Sequence, residues 1–248
     1  MPFVVYSIID NTVCVVDLAH ISNELSHKFN TNLEFAEYKN LSALVSFVKK
    51  KDTGTTRDEV LCYASIIDAM AAMCPVLPMR FGSVLDSYND VLEYLSRNAD
   101  AFIRSLALIS NKDEYSVKVL FSQSYHEDPV GNTSCNDPQP LPDILNSTNL
   151  AREYLSNKYK DYLSDKKKHQ YTEQVKSYFM SQALAITDYI DFNKSLSPAF
   201  IIDAVLLIDK SKKSKLLDIV VNLRAMFPMH NVMLTGPWPA YNFTKTKI

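Results

Sequence analysis

Apolar positions along the first 122 residues alternate between short continuous runs and a spacing of three to four, the signatures of strands and helices. Phe3 to Ile9 is β-branched and aromatic and stops at the turn pair Asp10-Asn11, which predicts a strand. Val13 to Leu18 is expected to add a short strand, and Ile21, Leu25 and Phe29 recur at the spacing of a brief amphipathic helix. Leu33 to Tyr38 and Leu41 to Val48 flank Lys39-Asn40 and predict a hairpin, followed by a polar loop from Lys49 to Thr56. Thr56, with Glu59 three residues on, forms a capping box for a helix carrying Val60, Tyr63, Ile67 and Met70 and ended by Cys74-Pro75. Val76 to Val84 reads as extended, since Pro78 lacks an N–H and steers Leu77 away from the helical region. Asp86 or Ser87 opens a longer helix with Val91, Leu92, Leu95, Phe102 and Leu106, and Tyr115 to Phe121 is the closing strand. This order predicts an α+β layer over residues 1–122, helices on one face, close to a ferredoxin-like plan.

The pattern breaks at 123–145, where Pro129, Gly131, Pro138, Pro140 and Pro142 mark a linker. In the second domain, 146–248, a long helical stretch runs from within the linker's end, Ile144, to Phe192. Leu150, Tyr154, Leu155, Tyr159, Tyr162 and Leu163 form one stripe; Tyr171, Val175, Tyr178, Phe179, Gln182, Ile186 and Tyr189 form another. The polar interval Ser164 to His169 between them predicts an antiparallel helical hairpin with a solvated tip; one unbroken helix is the alternative. Ala199 to Ile208 then reads as a buried strand, Ser214 to Met226 as a helix with Leu216, Leu217, Val220, Leu223 and Phe227 inward, and Asn231 to Thr235 as a last strand. No internal sequence repeat is evident.

Composition narrows the chemistry. Four glycines in 248 residues leave no window for Gly-x-Gly-x-x-Gly, for a P-loop or for a Gly-x-Ser-x-Gly elbow. With 26 basic and 28 acidic residues there is no global field to attract nucleic acid. No long apolar run predicts a membrane span, and Met1 to Tyr6 runs straight into a strand without a basic leader, so a cytoplasmic protein is expected. Cys14, Cys62, Cys74 and Cys135 are far apart, contain no Cys-x-x-Cys pair and read as reduced thiols. None of the five histidines lies within four residues of another, and Asp10 and Asp17 are better explained as turn residues than as cation ligands. No catalytic constellation, metal site or cofactor is expected.

Two segments are less ordinary. In Val76-Leu77-Pro78-Met79-Arg80-Phe81-Gly82, a proline inside an apolar strand suggests an edge or bulge, and Gly82 allows positive φ. Arg80 is expected to bond inside its own domain; the competing reading is a ligand-binding or enzymatic protein in which Arg80 holds an anionic group. In Thr235-Gly236-Pro237-Trp238-Pro239, two prolines fix an extended chain around the only tryptophan. This segment is either a tail laid over the core, its indole buried, or a partner contact.

Together these segments resemble the GvpL/GvpF family of gas vesicle proteins, which carries V-L-P-L-R-F-G after a helix in its first half and ends in L-T-G-P-W-P-P-Y-x-F. The matches here are Val76 to Gly82 and Leu234 to Phe243. Met79 replaces the family's leucine, a volume-conserving swap. Ala240 replaces its second proline, and Tyr63 stands where many members have a histidine, so no role of that histidine carries over. The resemblance implies a two-domain α+β protein, the first domain ferredoxin-like and the second a helical hairpin with a small sheet. It implies a non-enzymatic assembly factor or minor structural component of gas vesicles, contacting the hydrophobic shell protein GvpA and other accessory Gvp proteins. Candidate contact residues are then Pro78, Arg80, Phe81, Gly82, Gly236, Pro237, Trp238, Pro239 and Tyr241, together with the tyrosines of the helical region.

Overall fold

Two antiparallel sheets are built from the same succession of strand, helix, strand, strand, helix, strand. A computed structural model describes residues 1–14, 17–48, 56–121, 149–193, 200–228 and 230–244. The linker expected at 123–145 and most of the lysine-rich loop expected before Thr56 lie outside the described residues.

The first sheet follows from β1 (Phe3–Asp10), α1 (Leu18–Phe29), β2 (Leu33–Tyr38), β3 (Leu41–Phe47), α2 (Arg57–Ala71), β4 (Leu77–Pro78) and β5 (Val84–Leu85), with α3 (Tyr88–Ile109) after it. Its strand order is β2-β3-β1-β4, and β5 also pairs with β1. The register between β1 and β3 slips between Val5 and Ser7, leaving Tyr6 as an extra residue. That bulge reverses the alternation: Val5 and Ile8 face one core, while Tyr6 and Ile9 face the other. Both faces are covered, so β1 and β3 read as nearly continuous apolar runs. α1 and α2 pack on one face through Ile21, Leu25, Ile66, Ile67 and Met70. α3 packs on the other through Val91, Leu95, Phe102 and Leu106, so the helices do not share a single face as the sequence pattern suggests.

The caps are local. Thr56 and Glu59 make the expected reciprocal bonds at the start of α2, and Ser87 caps α3 through the Asp90 amide. Of the strand expected at Val13 to Leu18, Val15 and Val16 lie outside the described residues, and the flanking positions are not strand. Val13 lies in a turn, Asp17 accepts from the Ala19 and His20 amides as N-cap, and Leu18 already begins α1.

The second sheet comes from β6 (Lys112–Phe121), α4 (Asn149–Leu184), β7 (Ile190–Phe192), β8 (Phe200–Asp209), a 3-10 turn at Lys210–Lys212, α5 (Lys213–Met226) and β9 (His230–Trp238), in the order β7-β8-β6-β9. β6 therefore does not close the first layer. It is one of the two inner strands of the second, where Tyr115, Val117 and Val119 meet Phe179 of α4 and Leu216 and Leu223 of α5. α4 is one 36-residue helix, not a hairpin. Ser164 to His169 is polar but contains no glycine or proline, and lysine is a good helix former, so nothing there breaks the backbone hydrogen bonds. Leu207 of β8 faces away from its own helices and joins the core beneath α3, tying the two sheets together.

Candidate functional site

The two unusual segments occupy matching places: each follows or completes the fourth strand of its sheet. Val76, Leu77 and Met79 are buried, and Pro78 pairs with Ser7 on an edge of the first sheet, where a missing N–H is tolerated. The chain then turns, with Gly82 at φ 84°. Three carbonyls, those of Val5 at 2.8 Å, Arg80 at 3.0 Å and Met79 at 3.1 Å, converge on Tyr63 Oη. One phenolic proton can be donated to only one of them at a time. The Tyr63 ring stacks on Tyr6 and meets Phe81 edge-on at 5.2 Å, and burial pushes its phenol far above the ordinary tyrosine value. Arg80 differs from expectation. Its carbonyl bonds Ser83 and Tyr63, but its side chain is exposed and has no ion pair or hydrogen bond among the described residues.

The second segment begins as a strand and ends as a strap. β9 runs along β6 with Thr235 opposite Ser116 and Trp238 opposite Glu114. Gly236 sits at φ 120°, and a Cβ there would lie 2.7 Å from the Glu114 carbonyl oxygen and 2.9 Å from the Tyr115 ring. No other residue fits so close to β6. The Gly236–Pro237 peptide is cis. Ala240 is buried in the core beneath α3, so the tail crosses from the second sheet to the first. Asn242 fastens it: its amide donates to Glu114 Oε2 at 2.9 Å and its Nδ2 to Oε1 at 2.7 Å. Burial raises the Glu114 carboxyl above its usual range, and the two bonds from Asn242 oppose that. Tyr241 reaches toward α2; burial, then the charges of Asp68 and Glu114, push its phenol up. The indole of Trp238 is not buried as a core tail would have it, for Trp238 remains 45% exposed.

The strap forms one side of a groove of about 640 Å³ between the sheets. Asp68, Met73, Cys74 and Val76 line one wall and Pro237, Trp238, Pro239 and Ala240 the other, with Lys112, Asp113 and Lys210 among its charged residues. The structure thus brings Val76 of the first segment and the tail of the second to one place. Arg80, Phe81 and Gly82 are not among the groove's lining.

A second exposed feature is α4. Val175, Phe179 and Ala183 near its end are fully buried, whereas Tyr154 (62%), Leu155 (58%), Tyr159 (45%) and Tyr162 (61%) nearer its start are exposed. Among the described residues no helix is long and apolar enough to cross a membrane, and no three His, Cys, Asp or Glu side chains gather as a metal site would require.

The sequence model of the family described as gas vesicle synthesis protein GvpL/GvpF matches residues 5–245. The chain belongs to the GvpL/GvpF family. Two solved structures share its fold. The gas vesicle protein GvpF from Anabaena sp. PCC7120 is 16% identical with a TM-score of 0.69, over 100% of this chain and 97% of that one. GvpF from Microcystis aeruginosa is 15% identical with a TM-score of 0.68, over 99% of each chain. No curated protein matches. Membership in the GvpL/GvpF family supports a role in gas vesicle formation. What reading the sequence missed is the Glu114–Asn242 contact, made across 128 positions. The sequence carried no signal for it, since Glu114 follows Lys112 and Asp113 and stands just ahead of the apolar run that starts at Tyr115.

Proposed function

We propose that this protein serves gas vesicle formation without catalysis, as an assembly factor or minor structural component that holds the hydrophobic shell protein GvpA and contacts other accessory Gvp proteins in the cytoplasm. A protein that holds a very apolar subunit before polymerisation needs exposed apolar surface on a rigid support. The observation that carries the reading is the exposed set Tyr154, Leu155, Tyr159 and Tyr162 on α4, anchored at its other end by Phe179. Tyrosine suits the task because its ring gives contact area while its hydroxyl keeps the free surface soluble. The first domain is read as ferredoxin-like, on the strand order β2-β3-β1-β4, and the second repeats that order. The boundary between them falls before β6, at Ser110-Asn111.

The test is a pull-down with purified GvpA. A folded Tyr154→Ser/Tyr159→Ser/Tyr162→Ser variant is expected to lose at least about tenfold in affinity, from two or more contact residues worth roughly 1 kcal/mol each. Trp238→Ala, which alters the strap, is expected to bind as the parent does. Unchanged binding by the triple variant overturns the assignment to α4, and lost binding by Trp238→Ala alone moves the contact to the tail.

A further inference from the structure

Asp68 stands in the last turn of α2, where a carboxylate opposes the helix dipole and a base would be favoured. Nothing in the fold compensates that placement. Among the described residues its side chain has no ion pair or hydrogen bond, and only its carbonyl is engaged, by the Ala72 amide at 3.1 Å. Asp68 lines the groove beneath the strap, on the wall opposite Pro237, Trp238 and Pro239. The other charges there are already matched: Lys210 Nζ lies 3.8 Å from Asp113 Oδ1, and Lys112 Nζ donates to Leu108 O and sits over the Tyr189 ring. Among the described residues of the groove, Asp68 is thus the charge left without a partner. Burial raises its carboxyl above the ordinary aspartate value, as for an anion in a partly apolar cleft with no counter-ion.

We infer that this groove binds an extended segment of another protein, one lysine or arginine of which meets Asp68 while its apolar neighbours lie over Trp238 and Met73. An unpaired carboxylate selects a cation, and an exposed indole face favours a cation over an anion. Trp238 supplies that face at 45% exposure, and Met73, Pro75 and Ile109 make the surrounding walls apolar. A volume of about 640 Å³ exceeds a single side chain, so flanking residues enter as well. Pro237 and Pro239 carry no N–H, so the strap recognises side chains and does not add a partner strand to its sheet. None of the exposed α4 tyrosines lines the groove, so this surface is separate from the one proposed for the shell protein, and either can fail alone.

Trp238 is the only tryptophan in the chain, so its emission reports directly on the groove. The probes are three peptides, Ser-Leu-Pro-Xaa-Leu-Pro-Ser, with arginine, its neutral isostere citrulline or glutamate at Xaa, added to the full-length protein. Anisotropy of labelled peptide gives the affinity, and unlabelled peptide gives the change in Trp238 emission. The arginine peptide is expected to shift that emission to the blue and to bind at least about tenfold more tightly than the other two. Asp68→Asn should reduce the arginine peptide to the level of citrulline without lowering Tm, since the end of α2 loses an opposing charge. Asp68→Lys should turn the preference toward glutamate. Equal affinity for the three peptides, no binding of the arginine peptide, binding that leaves Trp238 emission unchanged, or full affinity in Asp68→Asn each overturns the inference.

Discussion

The first and second sheets share a strand order but differ in the helix that crosses from first strand to second. α1 has 12 residues and α4 has 36. At about 1.5 Å per residue these span roughly 18 and 54 Å. A ten-residue strand such as β6 covers only about 33 Å. α1 is as long as its sheet can use, and Ile21 and Leu25 are buried along it. α4 is longer than its sheet can cover, and its apolar side chains divide accordingly into a buried end at Val175, Phe179 and Ala183 and an exposed end at Tyr154 to Tyr162. Where one topology is used twice, the part exceeding what packing needs is where function is to be sought.

The sharpest way to break this comparison is within α4 itself. Phe179 is fully buried among Val175, Tyr115 and Leu216, so Phe179→Ala should cost about 3–5 kcal/mol in urea unfolding. The Tyr154→Ser/Tyr159→Ser/Tyr162→Ser variant should cost less than about 1 kcal/mol in total, because the three side chains are exposed and serine and tyrosine have similar helix propensities. A loss of several kcal/mol in the triple variant would show that the first half of α4 packs within the fold, and the division would fail.

These halves also show how far the sequence could be read. Caps, hairpin and helix faces were legible because they rest on neighbours three or four residues apart, as at Thr56 and Glu59. Sheet membership was not: Tyr115 to Phe121 reads the same whether it pairs with β1 or with β8, and only the pairing of Val117 with Ala204 decides. The unbroken α4 was legible only as an alternative, because a polar run such as Ser164 to His169 is as compatible with a helix as with a turn. The resemblance in Val76–Gly82 and Leu234–Phe243 located both fourth strands without revealing that they correspond.

The second comparison sets those fourth strands against each other. β4 has two residues and is followed by Gly82; β9 has nine and contains Gly236. Both glycines have positive φ, but nothing lies within 4 Å of a Cβ at Gly82, whereas one at Gly236 would strike the β6 backbone at 2.7 Å. Gly236→Ala should therefore cost about 2–4 kcal/mol, φ strain plus displacement of the strand, and Gly82→Ala only about 1 kcal/mol from φ alone. Equal costs in thermal or urea unfolding would mean that the close approach to β6 is absorbed without strain, removing the reason for glycine in the tail.

The last comparison concerns the fastening of the strap, which the first unit lacks. Asn242→Ala removes both donors from Glu114 and leaves a buried carboxylate unpaired, at about 1.5–3 kcal/mol near neutral pH. The pH dependence follows from the raised Glu114 carboxyl. Its folded form binds the proton more tightly than the unfolded chain does, so its contribution is complete below the ordinary carboxylate range and is lost as pH rises through the raised value. Asn242 opposes that rise, so removing it should shift the carboxyl further up and make stability fall more steeply with pH than in the parent. Glu114→Gln, which cannot ionise, should flatten the profile, and unfolding measured from about pH 4 to pH 8 reads all three slopes. If the Asn242→Ala and parent profiles run parallel, the strap is held by the burial of Ala240 and not by this carboxylate.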